Sequence, residues 1–205
     1  MQKTQLFLIL CFLFSGCITS KAQNKWVRTD LSALTYKDQI VIVDLKTKRA
    51  MSNDKGSSDS PAAVEVTISA DSTQLTGDIP DRIKWNVYHT AKSAKEYIFC
   101  PNGTNKKWLY RTNKNSLVVG SSGSNVFTFY TEPSYVGLSN GDVLLAVNMK
   151  TNNWSVYEKS SYYTGTILAY FKLITSTTTS LKVADSDKTF LQGQTGETVR
   201  ELQRS

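Results

Sequence analysis

Gln39-Ile40-Val41-Ile42-Val43-Asp44 is a run of β-branched residues closed by the polar turn Leu45-Lys46-Thr47-Lys48. Two heavy atoms on Cβ suit such side chains to a pleated strand rather than a helix. Working outward, Val64-Glu65-Val66-Thr67-Ile68 alternates apolar and polar residues with period two, the pattern of a strand with one buried face. Comparable runs recur at Ile83–Tyr88, Glu96–Phe99, Trp108–Arg111, Leu117–Val119, Val126–Tyr130, Val143–Asn148, Trp154–Tyr157 and Ile167–Leu173. Between them stand turn clusters such as Pro101-Asn102-Gly103-Thr104-Asn105 and Gly120-Ser121-Ser122-Gly123-Ser124, which supply positive φ angles and local side-chain hydrogen bonds. Helical periodicity is absent. The best candidate, Thr90–Tyr97, is short and reads equally as a loop.

Many short strands at close spacing predict an all-β fold, either a small closed barrel or a β-sandwich. A repeated layout favours the barrel: an aromatic-rich strand, a loop, an aliphatic strand, a turn, then a short apolar strand. Gln39–Val43 with Ala50-Met51 is one instance. Trp85–Tyr88, Tyr97–Phe99 and Trp108–Tyr110 form a second, and Phe127–Tyr130, Tyr135–Leu138 and Val143–Ala146 a third. Tyr170-Phe171-Lys172-Leu173 would close the ring. Three units are what a β-trefoil requires, and the uneven spacing calls for an insertion around residues 53–80.

The chain opens with one positive residue, Lys3, and then an apolar stretch from Leu6 to Phe14. Crossing a bilayer takes about 20 apolar residues, so residues 1–23 are expected to be a signal peptide. Two cleavage readings stand. Ser15-Gly16-Cys17 resembles a lipobox, with Cys17 as a lipidated N-terminus, although Phe14 occupies a position where Leu, Val or Ile is usual. Ser20-Lys21-Ala22-Gln23 suits ordinary cleavage. The expected product is an outer-membrane or cell-surface lipoprotein, or a secreted protein. Cys11 and Cys17 belong to this segment, which leaves Cys100 as the cysteine of the body and permits no intramolecular disulfide there. Cys100 follows a strand-like Tyr97-Ile98-Phe99 and reads as a buried apolar residue.

Residues 24–174 suffice for one β module with a sizeable core. Residues 175–205 begin with the polar run Thr175–Ser180 and are too few for a second core, so a truncated or poorly ordered tail is expected there. The formal charge of the whole chain is +7, modestly basic, and suits acidic glycans or phospholipid head groups. Its basic residues are scattered and the chain is expected to be exported, so nucleic acid is not an expected partner. The membrane enters only through a lipid anchor.

Residues 38–173 resemble an accessory module common in secreted proteins of Bacteroidetes. The counterparts of its motifs are Trp26-Val27, Asp38–Val43, Ala50–Asn53, Trp108–Tyr110, Val119-Gly120 and Phe171-Lys172. Lys37 stands where that pattern has Gly, and Phe171 where it has Tyr. The resemblance implies an appendage to larger enzymes or adhesins, and no active site. Ile40-Val41-Ile42 followed by Ala50-Met51-Ser52-Asn53 is also similar to ricin-type sugar-binding trefoils, whose Gln-x-Trp signature is absent here.

Catalytic chemistry finds few reagents. His89 is the single histidine, which argues against most zinc sites and against Ser-His-Asp or Cys-His catalysis. It is expected at an exposed strand end. Glycosidase chemistry needs two carboxylates across a cleft, but Asp54, Asp59, Asp71, Asp78, Asp81 and Asp142 sit in turns. The Asp54–Asp59 loop is too sparse for calcium. No cofactor or metal is expected.

The remaining signal is aromatic. Flat rings beside polar groups are how proteins grip sugars. In Lys107-Trp108-Leu109-Tyr110-Arg111, alternation puts Trp108 and Tyr110 on one face, expected in the core. Trp154 follows Asn152-Asn153, and Ser161-Tyr162-Tyr163-Thr164-Gly165 is a polar aromatic loop. Trp154, Tyr162 and Tyr163, with Tyr135, are therefore the candidate ligand-binding residues. The expected function is non-catalytic binding of a glycan or other surface polymer. The alternative is a structural or adhesion component of the cell surface contacting another protein.

Overall fold

The computed structural model describes residues 24–175 apart from 57–58, 105, 114–115, 122, 124 and 160–164. The expected signal segment with Cys17, residues 176–205 of the expected tail, and Tyr162 and Tyr163 lie outside the described residues. The strands are β1 (Asn24–Thr29), β2 (Gln39–Asp44), β3 (Arg49–Lys55), β4 (Pro61–Glu65), β5 (Thr67–Ile68), β6 (Gln74–Thr76), β7 (Trp85–His89) and β8 (Glu96–Pro101). They continue with β9 (Trp108–Asn113), β10 (Ser116–Gly120), β11 (Phe127–Glu132), β12 (Tyr135–Asn140), β13 (Val143–Asn148), β14 (Asn153–Glu158) and β15 (Thr166–Thr175). Leu31–Ala33 and Asp81–Ile83 form single 3₁₀ turns. The fold is all-β.

Among the described residues, strand pairing runs in a circuit from β2 to β7, β8, β11, β12, β15 and back to β2. Between successive ring strands lie the hairpins β3–β4, β9–β10 and β13–β14. That is the strand plan of a β-trefoil, with units β2–β3–β4–β7, β8–β9–β10–β11 and β12–β13–β14–β15. The ring is not a clean barrel. β8 meets β11 through only Tyr97↔Phe127 and Glu96↔Thr128. β12 meets β15 through a short parallel register, Tyr135↔Thr166 and Val136↔Ile167. The other ring contacts are antiparallel.

The chain adds material outside the ring. β1 pairs along β15 from Asn24↔Thr175 to Thr29↔Tyr170, β6 pairs with β1, and β5 with β6. The insertion expected at residues 53–80 is thereby relocated: residues 49–65 are the first unit's own hairpin, and the addition is β5, β6 and the Asp81–Ile83 turn.

This addition explains the opening run. Ile40 and Ile42 face the ring interior with Trp85, Val87, Phe99, Phe127, Leu138, Leu168 and Tyr170. Val41 and Val43 face a second buried cluster with Trp26, Ala50, Leu75, Ile79, Ile83, Ala169 and Phe171. A strand covered on both sides reads as a continuous apolar run rather than an alternating one. Each fully buried aliphatic or aromatic side chain of this kind contributes about 1.5–3 kcal/mol.

Asp44 ends β2. Its buried carboxylate accepts hydrogen bonds from the Lys46 amide (3.2 Å), the Thr47 hydroxyl (2.8 Å) and the Ile167 amide (3.4 Å). It fixes the β2–β3 turn against the start of β15. In the third unit the two-residue turn Gly141-Asp142 joins β12 to β13, with Gly141 at φ 65°. Two-residue hairpin turns need such a φ, and glycine reaches it without penalty.

The expectation for β9 is corrected. Leu109 is the residue that enters the ring interior, packed with Leu117 of β10, and Trp108 and Tyr110 lie half-buried on the other face. An aliphatic pair fits the tight inner side of this cap hairpin, whereas the larger rings cover its outside.

Candidate functional site

Two candidate binding residues from the sequence are core residues. Trp154 lies on the inward face of β14, fully buried in the main cluster, and its indole Nε1 has no hydrogen-bond partner among the described residues. Tyr135 is also buried. Its hydroxyl donates toward the Leu138 and Leu145 carbonyls (2.6 and 3.0 Å) and accepts from the Leu138 amide (3.0 Å). Burial drives the Tyr135 phenol far above its ordinary pKa, against the pull of those backbone bonds. Trp154 and Tyr135 therefore form no exposed platform. A neighbouring turn rich in Asn does not expose a residue whose strand face points inward.

His89 is likewise corrected. It is half-buried at the end of β7, its Nε2 donates to the Leu34 carbonyl (3.1 Å), and its ring lies 5.0 Å from that of Tyr97. Cys100 is buried, as its neighbours suggested, and burial pushes its thiol up.

A cleft lies elsewhere, at one end of the ring. It has a volume of about 730 Å³ and is lined by Asp30, Leu31 and Ser32 at the 3₁₀ turn, Ser93 and Lys95 before β8, Glu96 and Tyr97 at its start, and Thr128 and Phe129 of β11. Leu31 and Leu34 drop from that turn into the main core, and Leu31 and Tyr97 floor the cleft. Glu96 and Thr128 face each other across β8 and β11. The Glu96 carboxylate accepts a hydrogen bond from the Thr90 hydroxyl, and Thr128 Oγ1 lies 3.0 Å from Ser139 Oγ.

Phe129 is the anomaly in this lining, and the pairing registers show why. Asp44, Pro101 and Asn140 end the first strand of their respective units. Asp44 pairs with Leu168 and Pro101 with Trp85. Asn140 stands one step beyond the Ser139↔Thr128 pair, opposite Phe127. Leu168, Trp85 and Phe127 are therefore equivalent, and all are buried. Two residues further on, Val87 and Tyr170 are 0% and 4% exposed, whereas their equivalent Phe129 is 49% exposed. The ring closes over this position in two units and leaves it open in the third, beside the sparse β8–β11 contact.

The cleft therefore combines an exposed aromatic ring with an apolar floor, three hydroxyls (Ser32, Ser93, Thr128), the carboxylates of Asp30 and Glu96, and Lys95. Small-molecule sites are built in this way, from apolar walls with a few convergent polar groups. Among the described residues no group of three or more His, Cys, Asp or Glu is placed to hold a metal ion. The sequence carried a signal for Phe129, since it shares a strand face with Phe127, but not for where the packed interior ends.

No family model matches the chain, and no curated protein matches it. Among solved structures, one titled "BEL beta-trefoil apo crystal form 3" is similar, with a TM-score of 0.42 and 14% sequence identity. The match covers 69% of this chain and 96% of that one.

Proposed function

We propose that this protein is an exported, non-catalytic β module of the cell envelope or its surroundings that binds a glycan in the cleft at Phe129. The observation that carries the reading is the exposure of Phe129 at a position whose two structural equivalents are buried. A phenyl ring held open beside hydroxyl and carboxylate groups offers a sugar both a stacking face and hydrogen-bond partners. The reading without catalysis is supported by the histidine: His89, the single one in the chain, is tied to a backbone carbonyl outside the cleft lining.

A glycan microarray probed with the full chain, followed by titration of the best neutral oligosaccharide, tests this directly. Wild type should bind and Phe129→Ala should lose on the order of tenfold or more in affinity, the equivalent of about 1.4 kcal/mol. Retained affinity in Phe129→Ala would refute the cleft, and capture of a surface protein in place of any glycan would favour the adhesion reading. Export itself is carried by the signal-like segment, and mass spectrometry of the mature N-terminus distinguishes an acylated Cys17 from cleavage after Ala22.

A further inference from the structure

Away from the cleft, the turn between the Leu31–Ala33 segment and β2 presents an unusual pair of side chains. Tyr36 is 64% exposed, the most exposed large hydrophobic residue described. Its ring packs edge-on against Tyr88 of β7, with centroids 5.1 Å apart and planes at 86°. Lys37 Nζ stands 5.3 Å from the Tyr36 centroid.

The backbone beneath this pair is both strained and pinned. Lys37 has φ 66°, a left-handed conformation in which Cβ crowds the following carbonyl and which glycine adopts without that cost. The turn is held by Thr35 N–H to Asp38 Oδ2 (2.7 Å), Asp38 N–H to the Thr35 carbonyl (3.1 Å) and Lys37 N–H to the Val87 carbonyl (2.7 Å). Asp38 is paired in turn with Lys172 (2.8 Å), which leaves the Lys37 ammonium as the outward charge at the tip. A long cationic side chain is thus kept at a position whose geometry favours glycine, next to a tyrosine that the core does not use.

Gln39 and Asn86, paired across β2 and β7, lie on the same outer face as Tyr88. The Gln39 amide donates to the Asn102 side-chain oxygen (2.8 Å). The patch therefore offers an aromatic ring, a cation and amides, and the carboxylate at its base, Asp38, is already paired with Lys172.

We infer that Tyr36, Lys37 and Tyr88, with Gln39 and Asn86, form a second binding site that takes a carboxylate-bearing sugar of an acidic polysaccharide. A uronate residue presents a C–H face to the phenol ring and an anion to the ammonium, and each half of that match is absent from a neutral sugar or a lone anion. The chemistry differs from the cleft, where carboxylates line the wall.

The test is titration of the full chain with polygalacturonate, with a neutral glucan of equal length and phosphatidylserine vesicles as comparisons. Polygalacturonate should bind more tightly than either, in a salt-dependent manner. Lys37→Gly removes the ammonium and relieves the left-handed strain, so it should weaken polygalacturonate binding on the order of tenfold while raising the melting temperature. Tyr36→Ala should weaken it likewise, and Phe129→Ala should leave it unchanged, so the two sites fail independently. Unchanged binding in either Lys37→Gly or Tyr36→Ala, or tighter binding to the vesicles, overturns the inference.

Discussion

Phe127 and Phe129 stand two residues apart on the same face of β11, yet the first is sealed in the ring interior and the second opens into a cleft. They have the same side chain and strand face but opposite roles. Phe127→Ala should cost about 3–5 kcal/mol of stability, the range for deleting a buried aromatic. Phe129→Ala should cost much less than that, because its partly exposed ring leaves a smaller cavity. Paired denaturant titrations of the two variants measure the difference, and equal losses would mean that Phe129 is an ordinary core residue.

Asp38 links stability to acid. Burial alone would raise its pKa, but hydrogen bonds from Lys172 and Thr35 outweigh that and hold the carboxyl below its ordinary value of 3.8. A carboxyl depressed in the folded state binds its proton more readily when unfolded. Its contribution is therefore complete above the unfolded pKa and disappears as pH falls through the folded one. Asp38→Asn should flatten the fall in melting temperature below about pH 3.8, with little effect on its slope near neutrality.

Gly137 has no room for a side chain. A Cβ there would lie 2.7 Å from the Tyr135 hydroxyl and 2.7 Å from Leu168 Cγ, both buried. Gly137→Ala should destabilise by about 1–3 kcal/mol, the usual cost of overpacking. A thermal melt no different from wild type would contradict the packing of β12 on β15.

Asp44 is a second point where one residue holds separate segments together. Asp44→Ala removes the acceptor of the Lys46 and Ile167 amides and of the Thr47 hydroxyl, and the loss of these part-buried hydrogen bonds should cost about 1–3 kcal/mol. Hydrogen exchange at Ile167 should quicken in that variant.

Sequence patterning and structure agree where local physics decides. The β-branched run Gln39–Asp44 and the turn at Asp142 follow from strand and turn chemistry, and the structure repeats them. Three units are also present, but the second and third begin at Glu96 of β8 and Tyr135 of β12 rather than at Trp85 and Phe127, which belong to the closing strands of the units before. What sequence could not show was where one surface meets another. Val41 and Val43 are buried because β5, β6 and the Asp81–Ile83 turn return to cover β2 and β15, a contact set far along the chain. The neighbouring Asn152-Asn153 suggests an exposed edge for Trp154, whereas its strand face points inward. Phe129 was legible as a companion of Phe127, but its exposure depends on how few pairs join β8 to β11. The left-handed Lys37 was visible only as a departure from a glycine in the resembling pattern.

The central claim is that one of three equivalent positions in the ring is open and holds a sugar. Isothermal titration of the wild type and Phe129→Ala with a neutral oligosaccharide selected on the array tests it most directly. The account predicts one site per chain in the wild type and an affinity reduced on the order of tenfold or more in the variant. Three equal sites per chain, or unchanged affinity in Phe129→Ala, would contradict it.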